Sequence, residues 1–245
     1  MEGLSSTGLL CGSSVVGLTE ALFARKSVNL TGGAVFGGLA ALSTVVVPAN
    51  IQPFFPILPF LRFDPAELFS VLAFLIFGPV AAVIAATSHW IFLTATGTSG
   101  PLGPAAKFAS VLSTLFGLWL GGRVYQRIGA KVSRMSFAFG LMLAFAVLAR
   151  VCVMFIVNYF IFTSVGPVIF GFDYLGFGQK ALQLTLGIEY AGSWLLMAML
   201  LYTSVFNGLH AAFSVIIPYM IFTPLSLKIP EIASGHPWIS RFTSH

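Results

Sequence analysis

Six apolar runs, separated by short polar or basic segments, dominate this sequence. They lie at 31–51, 65–77, 79–93, 104–121 and 135–163, with a sixth inside 181–222. A bilayer core about 30 Å thick requires about 20 apolar residues per spanning helix, and 58% of the chain is hydrophobic whereas only 8% is charged. We therefore predict an all-α polytopic protein of the cell membrane, with a six-helix transmembrane bundle at 31–223 and little room for a soluble domain.

The positions of the basic residues predict the orientation of these helices. Arg25 and Lys26 precede the first run, and the densest basic loop, between the fourth and fifth runs, holds Arg123, Arg127, Lys131 and Arg134. Basic loops are retained in the cytoplasm, so an even number of spans must separate the two segments. Gly78-Pro79 is therefore predicted to be a hairpin turn and not a kink.

The same argument orients the end of the chain. Lys228 and Arg241 should also be cytoplasmic, which requires one further pair of spans. We expect a cytoplasmic N-terminal segment at 1–30 and a cytoplasmic tail at 224–245. The stretch 181–222 should then hold one span and an outer connecting segment, although it is long enough for two.

Several classes of protein are disfavoured by what the sequence lacks. Cys11 and Cys152 are too far apart in the chain to indicate a disulfide framework or a zinc site. No G-x-x-x-x-G-K-[ST] loop is present, so ATP is not bound in the P-loop manner. The formal net charge of +5 does not indicate nucleic acid, because the basic residues lie between apolar runs. We expect no catalytic residue, metal or cofactor.

The second apolar run opens with charged residues, in the sequence LRFDPAELF. Asp64 suits the N-cap, Pro65 the first helical position and Glu67 the third, an arrangement in which carboxylates accept from the free N–H groups of the first turn. We predict a capped helix that starts at the outer surface of the membrane.

The segment before that helix, PANIQPFFPILPF, is rich in proline and phenylalanine. Proline restricts the backbone, so this loop should be stiff and extended. Its aromatic residues, including Phe54 and Phe55, either anchor the loop at the membrane interface or cover a flat ligand.

A polar stripe marks the last apolar run. Thr203, Asn207, His210 and Ser214 follow one another at spacings of three and four residues, which places them on one face of a helix. Polar groups inside a membrane are costly unless they are satisfied, so this face either bonds to neighbouring helices or lines a cavity.

Two polar residues of the fifth run can face the same cavity. Arg150 and Asn158 lie about two helical turns apart. An arginine inside a membrane needs a partner, and the available carboxylates are Glu67 and Glu189. We predict that Arg150 forms a structural ion pair.

Small residues form a ridge on the first span. Gly33, Gly37 and Ala41 follow a small-xxx-small pattern, which Ala34 and Gly38 repeat on the adjacent face. Such ridges allow helices to approach closely. The partner is either another helix of this chain or another membrane subunit.

An intramembrane protease is one alternative. The motif GTSG at 97–100 is similar to the Gly-x-Ser-Gly of rhomboid proteases, in which case Ser99 and His210 would form the catalytic dyad. Pro101 follows at once, however, and the glycines that flank the rhomboid histidine are absent here.

Several segments in this order resemble the substrate-binding S component of energy-coupling factor vitamin transporters, particularly its riboflavin-specific branch. The segments are FLRFDPAEL at 60–68, FGPVAAV at 77–83, GTSGPLGPAAKF at 97–108, NYF at 158–160 and FNGLHAAFS at 206–214. The resemblance covers about residues 31–222. It implies six helices, an outward-facing pocket and a non-enzymatic binding subunit, which docks onto a transmembrane coupling subunit energised by two ATPase subunits.

The resemblance also implies roles for particular residues. Gly33, Gly37 and Ala41 match the docking face, and Asn158 and Asn207 match asparagines that contact the flavin. His210 stands where a lysine is usual in this family, and Lys107 stands where a small or amide residue is common.

The residue chemistry suits a flavin as the transported ligand. We expect Asn158, Asn207, His210 and Thr203 to present polar groups to its edge, and Phe54, Phe55 or Tyr159 to cover its faces. A stand-alone secondary carrier of another small solute is the alternative function.

Overall fold

The computed structural model describes residues 9–97, 102–128 and 135–228, which form a bundle of helices. The helices are α1 (Leu9–Val46), α2 (Ala66–Phe77), α3 (Pro79–Thr96), α4 (Gly103–Ile128), α5 (Met135–Phe160), α6 (Tyr174–Leu186) and α7 (Ser193–Lys228). A π-helical segment, Ile161–Ile169, continues α5. The predicted all-α membrane class is confirmed at this level, because five of the described helices are long and apolar enough to cross a membrane.

Helix α2 accounts for the difference between these five helices and the predicted six spans. It has 12 residues, or about 18 Å at 1.5 Å per residue, which is less than the thickness of a bilayer core. Glu67 in its first turn contacts Arg150 and Ser214, which lie in the interior of α5 and α7. The first turn of α2 therefore lies beside the middle of α5 and α7, and its predicted position at the outer membrane surface stays a prediction.

The hairpin between α2 and α3 is confirmed. Gly78 has φ 102°, a conformation that side chains with a Cβ rarely adopt. Pro79 follows at the first position of α3, where its missing N–H costs no hydrogen bond. The chain therefore reverses here, as the distribution of basic residues required.

Helix α7 also agrees with the sequence, since one long helix occupies most of 181–222. It continues without a break across the expected tail boundary at residue 224, and α1 likewise crosses the expected boundary at residue 31.

Helices α4 and α5 run in opposite directions along the bundle. Gly117 of α4 lies against Ala146 of α5, and Gly121 lies against Met142, so residue numbers rise on one helix as they fall on the other. With the hairpin at Gly78 and the parallel packing of α1 on α3, this arrangement places the basic residues of three helices toward the same end of the bundle: Lys26 of α1, Arg123 and Arg127 of α4, and Lys228 of α7. We call this the proximal end and the opposite one the distal end. Lys131, Arg134 and Arg241 lie outside the described residues, and the cytoplasmic location of the proximal end stays a prediction.

The small-residue ridge of α1 packs inside the chain. A Cβ added to Gly33 would lie 2.7 Å from Ile84 Cβ, and one added to Gly37 would lie 2.6 Å from Ser88 Cβ, both on α3. The predicted docking face formed by Gly33, Gly37 and Ala41 is therefore corrected, because α3 covers both glycines and Ala41 is half-buried.

Two apolar clusters stabilise the two ends of the bundle. The proximal core joins α2, α3, α4, α5 and α7 through side chains such as Phe74, Leu118, Met142 and Phe222. The distal core packs Phe55 and Leu58 of the proline-rich loop against α6 and α7. Thr185 of α6 also donates to the carbonyl oxygen of Ile57, at 3.0 Å. The loop is thus held between the helices at the distal end.

Candidate functional site: a polar cavity in the distal half

A cavity of about 440 Å³ opens in the distal half of the bundle. Its walls come from the proline-rich loop and from α2, α4, α5 and α7. Its uncharged polar side chains are Gln52, Ser110, Asn158, Asn207 and His210, and its charged ones are Arg62, Asp64, Glu67, Lys107 and Arg150. Such a concentration of polar groups inside an apolar bundle indicates a functional site.

Arg150 forms the floor of this cavity and is only 2% exposed. Its guanidinium forms a bidentate ion pair with Glu67, with distances of 2.6 Å from Nη1 to Oε2 and 3.3 Å from Nη2 to Oε1. Three further acceptors complete its shell: Asn207 Oδ1 at 3.2 Å, His210 Nδ1 at 3.1 Å and Thr114 Oγ1 at 3.5 Å. Arginine has five N–H donors, so this set of described acceptors satisfies the whole guanidinium.

This network joins four helices through one side chain. It confirms the predicted structural ion pair and identifies the partner as Glu67. The other candidate, Glu189, is exposed and accepts from Gln183 at 2.8 Å. A buried charge pair requires such additional hydrogen bonds to offset its desolvation, and Ser214 supplies one more to Glu67, at 3.2 Å.

The capping box predicted for α2 is wrong, because Glu67 is directed into this network. The helix begins at Ala66, whose N–H donates to Asp64 Oδ1 at 2.8 Å. Asp64 therefore supports the first turn as expected, and its other oxygen pairs with Lys107 of α4. The carboxylates at the start of α2 thus bind two different helices.

The hydrogen-bond geometry determines the protonation of His210. Arg150 can only donate, so Nδ1 of His210 must be the acceptor and the ring proton must lie on Nε2. That nitrogen is 3.5 Å from Glu67 Oε2. The ring is therefore neutral and its N–H faces Glu67, whereas donation from this N–H to a ligand stays a prediction. Phe63 and Phe206 hold the ring, with centroids 5.4 and 5.3 Å away.

Asn158 and Asn207 line the cavity as predicted. Asn207 Nδ2 donates to Thr203 O at 2.8 Å, and an amide nitrogen carries a second hydrogen. Asn158 is half-buried on α5. The structure therefore brings these two predicted amides together on the wall of one cavity.

The other predicted contacts do not line this cavity. Thr203 is buried, and its hydroxyl donates within α7 to the carbonyl oxygens of Met199 and Leu200. Phe55 is buried in the distal core, whereas Phe54 and Tyr159 are 57% and 43% exposed. Consecutive residues point in different directions along a helix, so Tyr159 faces outward although the adjacent Asn158 lines the cavity.

The aromatic walls of the cavity are Phe60 and Phe206. Phe60 lies in the aromatic loop and Phe206 lies next to Asn207, but neither was selected from the sequence. Lys107 was also not predicted as a site residue. The sequence does indicate such a role, because an ionisable residue in an apolar helix is typical of a cavity or an ion pair. Of the dyad considered for a protease, Ser99 lies outside the described residues, and both ring nitrogens of His210 face the Arg150 network.

Comparison with protein-family models, curated proteins and solved structures finds no match for this chain. Within the described ranges, no group of three or more His, Cys, Asp or Glu side chains is arranged to hold a metal ion.

Proposed function

We propose that this protein is a solute-binding membrane subunit of the energy-coupling factor type, and that it captures riboflavin or a related flavin in the distal cavity. The observation that carries the proposal is the lining of this cavity, where Asn158 of α5 faces the same space as Asn207 of α7. These are the two asparagines that match flavin contacts in the sequence resemblance.

The size and chemistry of the cavity support a flat, polar ligand. Its volume of about 440 Å³ lies within the range of about 300 to 1,000 Å³ usual for small-molecule sites. The edge of an isoalloxazine ring offers carbonyl and ring-nitrogen acceptors and one imide donor, which amide side chains can pair. Its faces suit contact with Phe60 and Phe206.

The region below the cavity supports binding and release on the distal side. Arg150 closes the floor with a fully paired guanidinium, and beyond it the proximal core fills the bundle with apolar side chains. A solute would need a large rearrangement to pass between the helices. Coupling to a transmembrane partner and two ATPase subunits would supply the energy for such a change.

The proposed partner would have to approach another face of α1. Ala34 and Gly38 are exposed, and a Cβ added to Gly38 would meet nothing within 4 Å. This adjacent ridge of small residues, and not the one at Gly33 and Gly37, is open to a helix from another chain.

Titration of the purified protein with riboflavin tests the binding proposal. We expect saturable quenching of flavin fluorescence at one site per chain. Absence of binding would overturn the vitamin assignment. Uptake of riboflavin by liposomes that contain this protein alone would favour a secondary carrier, because an energy-coupling factor subunit needs its partners.

A further inference from the structure

The cavity holds two ion pairs that differ in how accessible they are. Both carboxylates belong to the start of α2, where Glu67 pairs with Arg150 and Asp64 pairs with Lys107. Arg150 and Glu67 are 2% and 3% exposed, whereas the side chains of Lys107 and Asp64 are 18% and 12% exposed. The second pair therefore lies where a solute in the cavity can approach it.

Lys107 can respond to a ligand in a way that Arg150 cannot. The guanidinium of Arg150 has an acceptor for each of its five N–H groups. The ammonium group of Lys107 has three hydrogens and is held at the end of a flexible side chain by Asp64. If Asp64 were neutral, the positive charge of Lys107 would act directly on the contents of the cavity.

We propose that Asp64 sets the charge selectivity of the cavity, by neutralising Lys107 so that uncharged polar solutes bind in preference to anionic ones. This inference rests on the proposed function, since it concerns the ligand of the same cavity. Among the described lining residues, the cations Arg62, Lys107 and Arg150 exceed the two carboxylates by one charge. Replacement of Asp64 by a neutral residue would raise that excess to two positive charges, because the charge of Lys107 would no longer be neutralised.

The physical basis is the weak screening inside the bundle. Two unit charges interact about fourfold more strongly at an effective dielectric constant of about 20 than they do in water. An anionic group near Lys107 would meet the like charge of Asp64 at almost the same distance, which cancels most of the attraction. A neutral ligand avoids this conflict and only needs hydrogen-bond partners.

Riboflavin and riboflavin 5′-phosphate form a matched pair of probes, because the phosphate adds about −1.5 to −2 charges at neutral pH. Dissociation constants for both would be measured by flavin fluorescence with wild type and with Asp64→Asn. We expect the wild type to prefer riboflavin, and we expect Asp64→Asn to shift the ratio of the two constants toward the phosphate by about tenfold or more. Asparagine retains a side-chain oxygen that can accept from the N–H of Ala66, so the first turn of α2 is preserved.

Glu189→Gln is the matched control, since it removes one carboxylate from an exposed position that does not line the cavity. It should leave the ratio unchanged. Lys107→Gln is a second variant, which removes the cation and should move the ratio the opposite way. The two variants together keep the test decisive if one of them fails to fold.

Riboflavin binding with an unchanged ratio in Asp64→Asn and Lys107→Gln would overturn the role of Asp64 while leaving the proposed function intact. Failure of the wild type to bind either flavin would overturn the proposed function, and the selectivity inference with it. A shift of equal size in Glu189→Gln would attribute the effect to overall charge and so also overturn the inference.

Discussion

Arg150 and Glu67 meet at the centre of the bundle, where Nη1 of the arginine lies 2.6 Å from Oε2 of the glutamate. The two residues are 83 positions apart in the chain, yet this contact joins α5 to the start of α2. It also orients His210 and Asn207, whose acceptor atoms are both occupied by the same guanidinium.

The first prediction concerns the stability of this pair. Glu67→Ala should destabilise the protein by about 3 to 5 kcal/mol, because it leaves the buried charge of Arg150 without compensation. The double variant Glu67→Ala with Arg150→Met should recover part of the loss. Thermal unfolding in detergent would measure both, with Glu189→Gln as an exposed control. Equal loss in the single and double variants would contradict the uncompensated-charge argument.

A second prediction follows from the acceptor role of His210. Lysine, which the family resemblance places at this position, has no acceptor and would face Arg150 with a like charge. We expect His210→Lys to lower the unfolding temperature, whereas His210→Gln, which offers a side-chain oxygen to Arg150, should lower it less. Equal stability of the two variants would show that the Arg150–His210 hydrogen bond does not matter.

The two glycines at neighbouring positions of α1 provide the third prediction. Gly37→Ala should destabilise the bundle by about 1 to 3 kcal/mol through overpacking, since its Cβ would lie 2.6 Å from Ser88 Cβ. Gly38→Ala should not destabilise the bundle, because a Cβ at this position would meet nothing within 4 Å. Unfolding measurements on the pair separate packing from helix propensity, because both variants replace glycine by alanine in the same helix.

Loss of an amide from the cavity wall is the fourth prediction. Asn158→Ala should weaken riboflavin binding by about 5- to 150-fold, which corresponds to about 1 to 3 kcal/mol for an unpaired polar group on the ligand. Tyr159→Ala is the control, because Tyr159 is on the same helix but does not line the cavity. A larger effect at Tyr159 than at Asn158 would place the flavin elsewhere.

The fifth prediction tests the orientation in the membrane. In a variant without native cysteines, Thr96→Cys should react with an impermeant reagent added to intact cells, and Ile128→Cys should not. Both positions are exposed, and they lie at opposite ends of the bundle. Labelling of Ile128→Cys alone would reverse the orientation expected from the basic residues.

The sequence was sufficient for features that depend on local chemistry. Hydropathy determined the helical membrane class, because an apolar segment of this length is stable inside a bilayer only if its backbone N–H and C=O groups are paired within the segment. Gly78 and Pro79 determined the hairpin, and the spacing of Asn207 and His210 placed them on one face of α7. Each of these conclusions concerns one helix or one turn.

Only the tertiary structure decided how the helices are rotated and how deeply each one lies. The periodicity of a helix determines which residues share a face, but the packing of its neighbours determines what that face contacts. For this reason the sequence could not choose between Glu67 and Glu189 as the partner of Arg150, or between the two small-residue ridges of α1. The depth of α2 in the bundle likewise depends on its buried contacts with α5 and α7, and that depth places both Asp64 and Glu67 in the lining of the cavity.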